Sequence, residues 1–330
     1  MKTSFKWLAV TLAAGMFVMT PQAFAQAPMK LVLAHAVAPE NPRAIAALKF
    51  ADLVKEKSGG KMTVQVAGAA QLGDDLTMLS ALRTGTLDIS INSQGPISSV
   101  LPELSALGLP YLFSTQAKAW EMLDGPIGQE LGKKLEPKGL ILLAWMDNGI
   151  RQISNNKRPI TKPEDLKGVK LRTPADPSTV DMFQAMGAST QQINFSELYI
   201  ALQQGVVDGQ ENPLVNIHAG KLHEVQKFIS ITNHKYESTP FVMSAITWNR
   251  LSADERKVVK EAAQEATVLQ RNLAAAADEK LLAEYKKMSS LQINTPDQTL
   301  LKPATQGVWD NWEKNPFGAF VKTLRAASKS

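Results

Sequence analysis

Leu79-Ser-Ala-Leu-Arg-Thr-Gly85-Thr-Leu-Asp88 and, far downstream, Tyr199-Ile-Ala-Leu-Gln-Gln-Gly205-Val-Val-Asp208 share one design. In each, a helical stretch stops at a glycine suited to a left-handed cap, two residues follow, and an aspartate opens the next segment. After Asp88 that segment is a short strand, Ile89-Ser-Ile91. One copy in each half of the chain predicts two similar α/β lobes. Helix–glycine–strand junctions are common in α/β proteins, but the length of 330 residues argues the same way, since single cores stop growing near ~250–300 residues.

Outward from the first copy, Lys30-Leu-Val-Leu-Ala34 reads as a strand and Ala44 to Lys57 as a helix with Ile45, Leu48, Leu53 and Val54 at helical spacing, stopped by Ser58-Gly59-Gly60. Met62 to Val66 alternates as a second strand. Strand, helix, strand is the unit of a parallel sheet flanked by helices. Around the second copy, Thr161-Lys-Pro-Glu164 reads as a capping box opening one helical turn that ends at Gly168. The strand Val169-Lys-Leu-Arg172 follows and Pro174 stops it. Ser252 to about Met288 is strongly helical and lacks Gly and Pro, which makes a helix long enough to brace two lobes.

The N-terminus sets the compartment. Lys2 and Lys6 precede an apolar run from Trp7 to Met19, and Ala23-Phe24-Ala25 is a small-x-small cleavage site. This predicts a secretory signal peptide over residues 1–25; the run is well short of the ~20 apolar residues of a membrane span. Its removal lowers the formal charge from +5 to +3. Acidic and basic residues are interspersed, as in Lys257 to Glu265, which reads as a solvated helix face and not a nucleic-acid groove. An exported chain without cysteine has neither disulfides nor thiol chemistry, so packing alone holds it.

Enzyme motifs are missing: the chain has no Gly-x-Ser-x-Gly elbow, no His-Glu-x-x-His helix and no phosphate-cradling glycine loop. His218 and His223 are five apart, about 140° around a continuous helix, so they are poor partners for one metal. No metal and no cofactor is expected. Arg172 stands out at the end of an apolar strand, where ligands of open α/β sheets collect, and a guanidinium there grips a carboxylate with two parallel hydrogen bonds. The alternative is an inter-strand salt bridge. Arg151, in Asp147-Asn-Gly-Ile-Arg-Gln152, follows an apolar stretch in the same way or pairs with a nearby acid. Asn212, before Pro213, either reaches a ligand or caps a turn. Phe195 and Trp145 are more often core than ligand platform.

The string Phe195-Ser-Glu-Leu-Tyr-Ile-Ala-Leu-Gln-Gln-Gly-Val-Val-Asp-Gly-Gln-Glu-Asn-Pro213 resembles a signature of the solute-binding proteins of tripartite ATP-independent periplasmic (TRAP) transporters, the DctP family. Gly168-Val-Lys-Leu-Arg-Thr-Pro174, Asn148-Gly-Ile-Arg-Gln with Lys157-Arg-Pro-Ile160, Gln71-Leu-Gly-Asp, Leu82-Arg-Thr-Gly-Thr-Leu-Asp88 and Leu109-Pro-Tyr-Leu-Phe113 extend the likeness from about residue 29 to about residue 285. The resemblance implies a two-lobed clamp of mixed sheets flanked by helices, bridged by a long helix and closing on a small organic acid in the periplasm. It further implies that Arg172 pairs with the carboxylate, that Arg151, Asn148 and Asn212 complete the grip, and that Phe195 packs on the ligand. The loop of His35 and Ala36 and the segment Ser93-Gln94 would supply the other lobe's contacts. Residues 26–148 with 238–277 would form one lobe, and 149–237 with 278–330 the other.

The loaded clamp, a monomer without enzymatic activity, would dock on a permease of one small and one large membrane subunit. Sialic-acid-binding members carry an acidic and a basic residue where this chain has Ser93 and Pro96. A smaller mono- or dicarboxylate, or a sugar acid, is the expected ligand. The receptor of an ATP-driven transporter and a sensor partner of a membrane kinase are the competing readings, told apart by the neighbouring genes.

Overall fold

The structure is a computed structural model that describes residues 27–328, so the expected signal peptide lies outside the described residues. Nine strands run in chain order: β1 (Met29–Ala34), β2 (Met62–Ala67), β3 (Ile89–Ile91), β4 (Leu140–Asn155), β5 (Lys170–Thr173), β6 (Ser189–Gln192), β7 (Gly209–Asn212), β8 (Phe228–Ser244) and β9 (Gln292–Asn294). The helices that matter to the site are α1 (Pro42–Lys57), α2 (Asp75–Thr84), α3 (Pro177–Ala185), α4 (Phe195–Gln203), α5 (Leu214–Ala219) and α6 (Ala253–Tyr285).

The strand order is β2-β1-β3-β8-β4-β7-β5-β6, with β9 added to β8. β1 lies parallel to β2 and β3, and β3 runs antiparallel to β8. β5 lies parallel to β6 and β7, and β7 runs antiparallel to β4. The units β1-α1-β2-α2-β3 and β5-α3-β6-α4-β7 therefore have one topology.

The echoed glycines are left-handed at both places, Gly85 with φ 75° and Gly205 with φ 69°. The echoed aspartates do one job. Asp88 Oδ2 accepts from the backbone N–H of Val32 at 2.8 Å, and Asp208 Oδ2 from that of Lys170 at 2.9 Å. Pairing of β1 with β3 begins at Leu33, and of β5 with β7 at Leu171. Each carboxylate thus satisfies the N–H just before the ladder starts, which would otherwise lack a partner.

β4 and β8 are long antiparallel strands that cross from one half to the other, irregular at Leu142/Ala144, Asp147/Gly149 and Arg151/Ile153. The 33-residue α6 runs beside them, about 50 Å end to end. Its alanine-rich face (Ala262, Ala263, Ala266) packs against α1, while Leu281 and Tyr285 share a core with Leu198 and Leu202 of α4 and Leu214 and Ile217 of α5. Ser252 and Glu255 close a reciprocal capping box at its start. No helix among the described residues is long and apolar enough to cross a membrane.

Four details differ from the sequence reading. α1 starts at Pro42, because Asn41 accepts from the N–H of Arg43 and proline suits the first helical turn. The turn after Thr161 is capped by Asp165, whose Oδ2 takes the N–H of Thr161 and of Lys162, rather than by Glu164. His218 and His223 are not on one continuous helix: α5 ends at Gly220, Lys221 is left-handed, and the two rings stack with centroids 5.5 Å apart. The segment 278–330 does not pack as a unit with the second half. Leu281, Tyr285 and Leu291 do, but Val308, Trp309, Val321 and Leu324 join the core of Ala34, Leu79 and Leu104, because the amphipathic C-terminal helices need an apolar face and find it there. Trp312 also donates to Asp181 of α3 at 2.7 Å, so this tail touches both halves.

Candidate functional site

The carboxyl ends of β1, β3, β5 and β7 converge on one cavity with about 50 Å³ of free space. The start of α1 brings Arg43 to it, the start of α2 Asp75, the start of α4 Phe195, and α5 Asn216. Of the eight residues singled out from the sequence, Arg172, Arg151, Asn212, Phe195, Asn148 and Ser93 line it.

His35 and Gln94 do not. His35 lies behind the wall formed by Ala36 and Val37, pressed on Gly68, where an added Cβ would sit 2.8 Å from its ring. Gln94 is buried and turns its Oε1 to the N–H and hydroxyl of Ser238, at 3.2 and 2.7 Å. A residue at the end of a strand or turn carries its side chain to one side only, and here that side faces the core. Burial, with the charge of Arg43 adding, pushes the His35 imidazole down to about 4, so it stays neutral near pH 7.

The two arginines differ in their engagements. Arg172 donates from Nε to the carbonyl of Ile193 at 2.8 Å. Among the described residues no carboxylate pairs with its outer nitrogens. Burial, and then the charge of Arg151, pulls its guanidinium down to about 10, which leaves it a cation at neutral pH. Arg151 is surrounded: it pairs with Glu211 and Glu237, and its Nη2 also donates to the Glu211 carbonyl at 2.6 Å and to Asn212 Oδ1 at 3.2 Å. Burial opposes its charge, but the two carboxylates more than offset this and raise its pKa. Burial would likewise raise Glu211, yet Arg151 and then His234 hold it down to about 2.

The asparagines form the floor. Asn148 Oδ1 accepts from Arg43 Nη2 at 3.0 Å and from Asn216 Nδ2 at 2.9 Å, while its Nδ2 donates to Glu237 at 2.6 Å. Asn212 Oδ1 accepts from Asn216 at 3.1 Å. Asn41, just before α1, donates to Asn216 Oδ1 at 2.9 Å.

Sequence reasoning missed Arg43, Asp75, Asn216 and Glu237. Arg43 had a usable signal: a cation in the first turn of a helix opposes the macrodipole and calls for another reason to be there. Glu237 had one too, as part of the charged run His234-Lys235-Tyr236-Glu237 inside a strand that is buried almost throughout. No trio of His, Cys, Asp or Glu is arranged around a metal position among the described residues.

Known proteins are related to this chain in sequence and structure. The model of bacterial extracellular solute-binding protein, family 7 (DctP), matches residues 33–315. An uncharacterized protein of Sinorhizobium fredii is 52% identical over 89% of this chain, which spans about half (54%) of that relative's length. A sugar acid binding protein from Advenella mimigardefordensis, solved in complex with galactonate, has a TM-score of 0.88 and 31% identity, covering 92% of this chain and 98% of its own. A TRAP periplasmic solute-binding protein from Sulfurospirillum deleyianum, with bound succinate, has a TM-score of 0.87 and 35% identity, covering 92% of this chain and all (100%) of its own. Two parallel-sheet units of one topology around a cavity with an unpaired buried arginine, and a family match over most of the chain, lead to one conclusion: this chain belongs to the bacterial extracellular solute-binding protein family 7, the DctP family of TRAP-type binding proteins.

Proposed function

We propose that this chain captures a small carboxylate-containing organic anion in the periplasm and delivers it to an ion-gradient-driven TRAP permease, without chemical change to the ligand. The observation that carries this reading is Arg172, a buried guanidinium at the carboxyl end of β5 that lines the cavity and has no carboxylate partner among the described residues. A buried cation without a counterion is costly, and an anionic ligand relieves that cost. Arg151 then acts through position: held by Glu211 and Glu237, it keeps Asn212 and Asn148 in place. Phe195 offers an apolar wall. The relatives solved with galactonate and with succinate support a carboxylate as the shared feature.

The lobes of this reading are residues 26–148 with 238–277, and 149–237 with 278 to about 300, the remaining tail bridging them. They part and close about the irregular stretch of β4 and β8. The closed monomer presents both lobes to the small and large membrane subunits of the permease. A thermal-shift screen across mono- and dicarboxylates tests the reading, because a ligand of the folded state raises apparent stability by RT ln(1 + [L]/Kd). Stabilisation by at least one organic acid, with that acid recovered unaltered, is the expected result. A screen in which sugars or amino acids stabilise and no organic acid does would overturn it.

A further inference from the structure

We propose that the segment 105–111 and the C-terminal tail form a latch that grips the second lobe outside the ligand cavity, so that the empty receptor closes part of the time without a ligand. The inference rests on the lobe division of the receptor reading and adds a device to it. None of the residues that line the cavity belongs to the latch. Ser105 lies in the short helix Glu103–Ala106 of the first lobe. Its hydroxyl donates to Asp176 Oδ1 and accepts from the backbone N–H of Ser178 at 3.1 Å, both at the start of α3. Tyr111 donates its backbone N–H to the His234 carbonyl of β8 at 2.9 Å. The tail adds a third hold. Val308, Trp309 and Leu324 share the core of Leu79 and Leu104, while Trp312 Nε1 reaches Asp181 Oδ2 of α3 at 2.7 Å.

Gly108 lets the two surfaces meet. A Cβ there would lie 2.5 Å from Lys235 Cε and 3.0 Å from Ser178 Oγ. Lys235 has little freedom to swing aside: it is buried, paired with Asp176, and donates to Thr179 Oγ1 at 2.7 Å. Burial would raise the Asp176 carboxyl, yet Lys235, with Ser105 and Thr179 adding, holds it below its ordinary value, so the acceptor of the Ser105 hydroxyl is charged. Every partner in the latch is a protein group, and its bonds are complete before any ligand arrives. Opening exchanges each of them for a bond to water, so each is worth little net; together they favour closure and still let it reverse. A closed fraction present beforehand raises the apparent affinity of any ligand that binds the closed form, in proportion to that fraction.

Pulsed electron paramagnetic resonance on the protein freed of ligand by dialysis tests this. The chain has no cysteine, so Lys49→Cys on α1 and Gln203→Cys on α4, both exposed, carry one spin label each, one per lobe. With no further change the empty protein should show two separations, the shorter matching this structure. Gly108→Ala drives a wedge into the contact, and Trp312→Phe keeps a ring but removes the donor. Each should lower the ratio of short to long separations at least about fivefold, the usual net worth of one hydrogen bond. Calorimetric melting shows whether each variant is folded; if Gly108→Ala is not, Trp312→Phe decides alone. A single separation in the empty protein overturns the latch, and so does a ratio unchanged in both folded variants. A change in Gly108→Ala alone overturns the part of the tail, and a change in Trp312→Phe alone that of the segment 105–111. No ligand enters the measurement, so the thermal-shift screen judges the carboxylate receptor separately.

Discussion

At the scale of single residues, the cavity separates two arginines that look alike in the sequence. Arg172→Lys keeps the charge and loses the fork, so ligand affinity should fall by the equivalent of about 2–5 kcal/mol while the ligand-free melting temperature changes little. Isothermal titration and calorimetric melting of the same sample check both halves of that statement. Arg151→Met should do the reverse at first sight. It strands Glu211 and Glu237 in the interior, and breaking a buried pair costs about 3–5 kcal/mol, so the ligand-free protein itself should melt several degrees lower. Arg172 was legible because an apolar strand running into Thr173-Pro174 fixes where its side chain must emerge. Arg43, Asp75 and Glu237 were passed over, because they come near Arg172 only where strands distant in the chain become neighbours in the sheet. His35 and Gln94 show the converse failure: their positions in the chain are near the cavity and their side chains face away from it.

At the scale of elements, the repeated helix–glycine–aspartate junction was readable from the sequence, since each of its residues has a local physical duty. The two copies differ in surroundings, which gives a prediction. A Cβ at Gly205 meets nothing within 4 Å, whereas one at Gly85 lies 3.1 Å from Ile246. Gly205→Ala should therefore cost only the left-handed backbone penalty of roughly 1–2 kcal/mol, and Gly85→Ala more, as read from urea unfolding midpoints. The 16- and 17-residue strands β4 and β8 were far less legible. Their register shifts break the alternation that marks a strand, and both faces are covered, so polar residues such as Lys235 and Glu237 appear where an apolar pattern is sought. The C-terminal helices were misplaced for a related reason: amphipathicity says that a helix needs a partner face and not which one.

At the scale of the whole molecule, closure and acidity each yield a prediction. If the lobes close on the ligand, small-angle scattering should report a smaller radius of gyration for the saturated protein than for the empty one; equal values would dismiss the clamp. Beside the irregularity of β4, Gln116 Nε2 donates to both Asp147, at 3.0 Å, and Asp278 of α6, at 3.4 Å. Burial pushes Asp147 up to about 6, and burial with the charge of Asp147 pushes Asp278 up to about 7. Both lie above the ~3.9 of an unfolded aspartate, so the folded state holds the extra protons. Their stabilising contribution is complete below about pH 4 and is lost as pH rises through 6 to 7. Asp278→Asn should flatten that part of the stability profile and raise the melting temperature at pH 8 by a few degrees. The repeated architecture has one more consequence. Laying β1 on β5, with Leu33 on Leu171, puts Ala34 where the second half has Arg172. The frame is two-fold but its chemistry is not, so the cavity has a head and a tail. An acid whose carboxylate pairs with Arg172, as proposed above, would seat in one sense only, carboxylate toward β5, in a scaffold that is itself nearly symmetric.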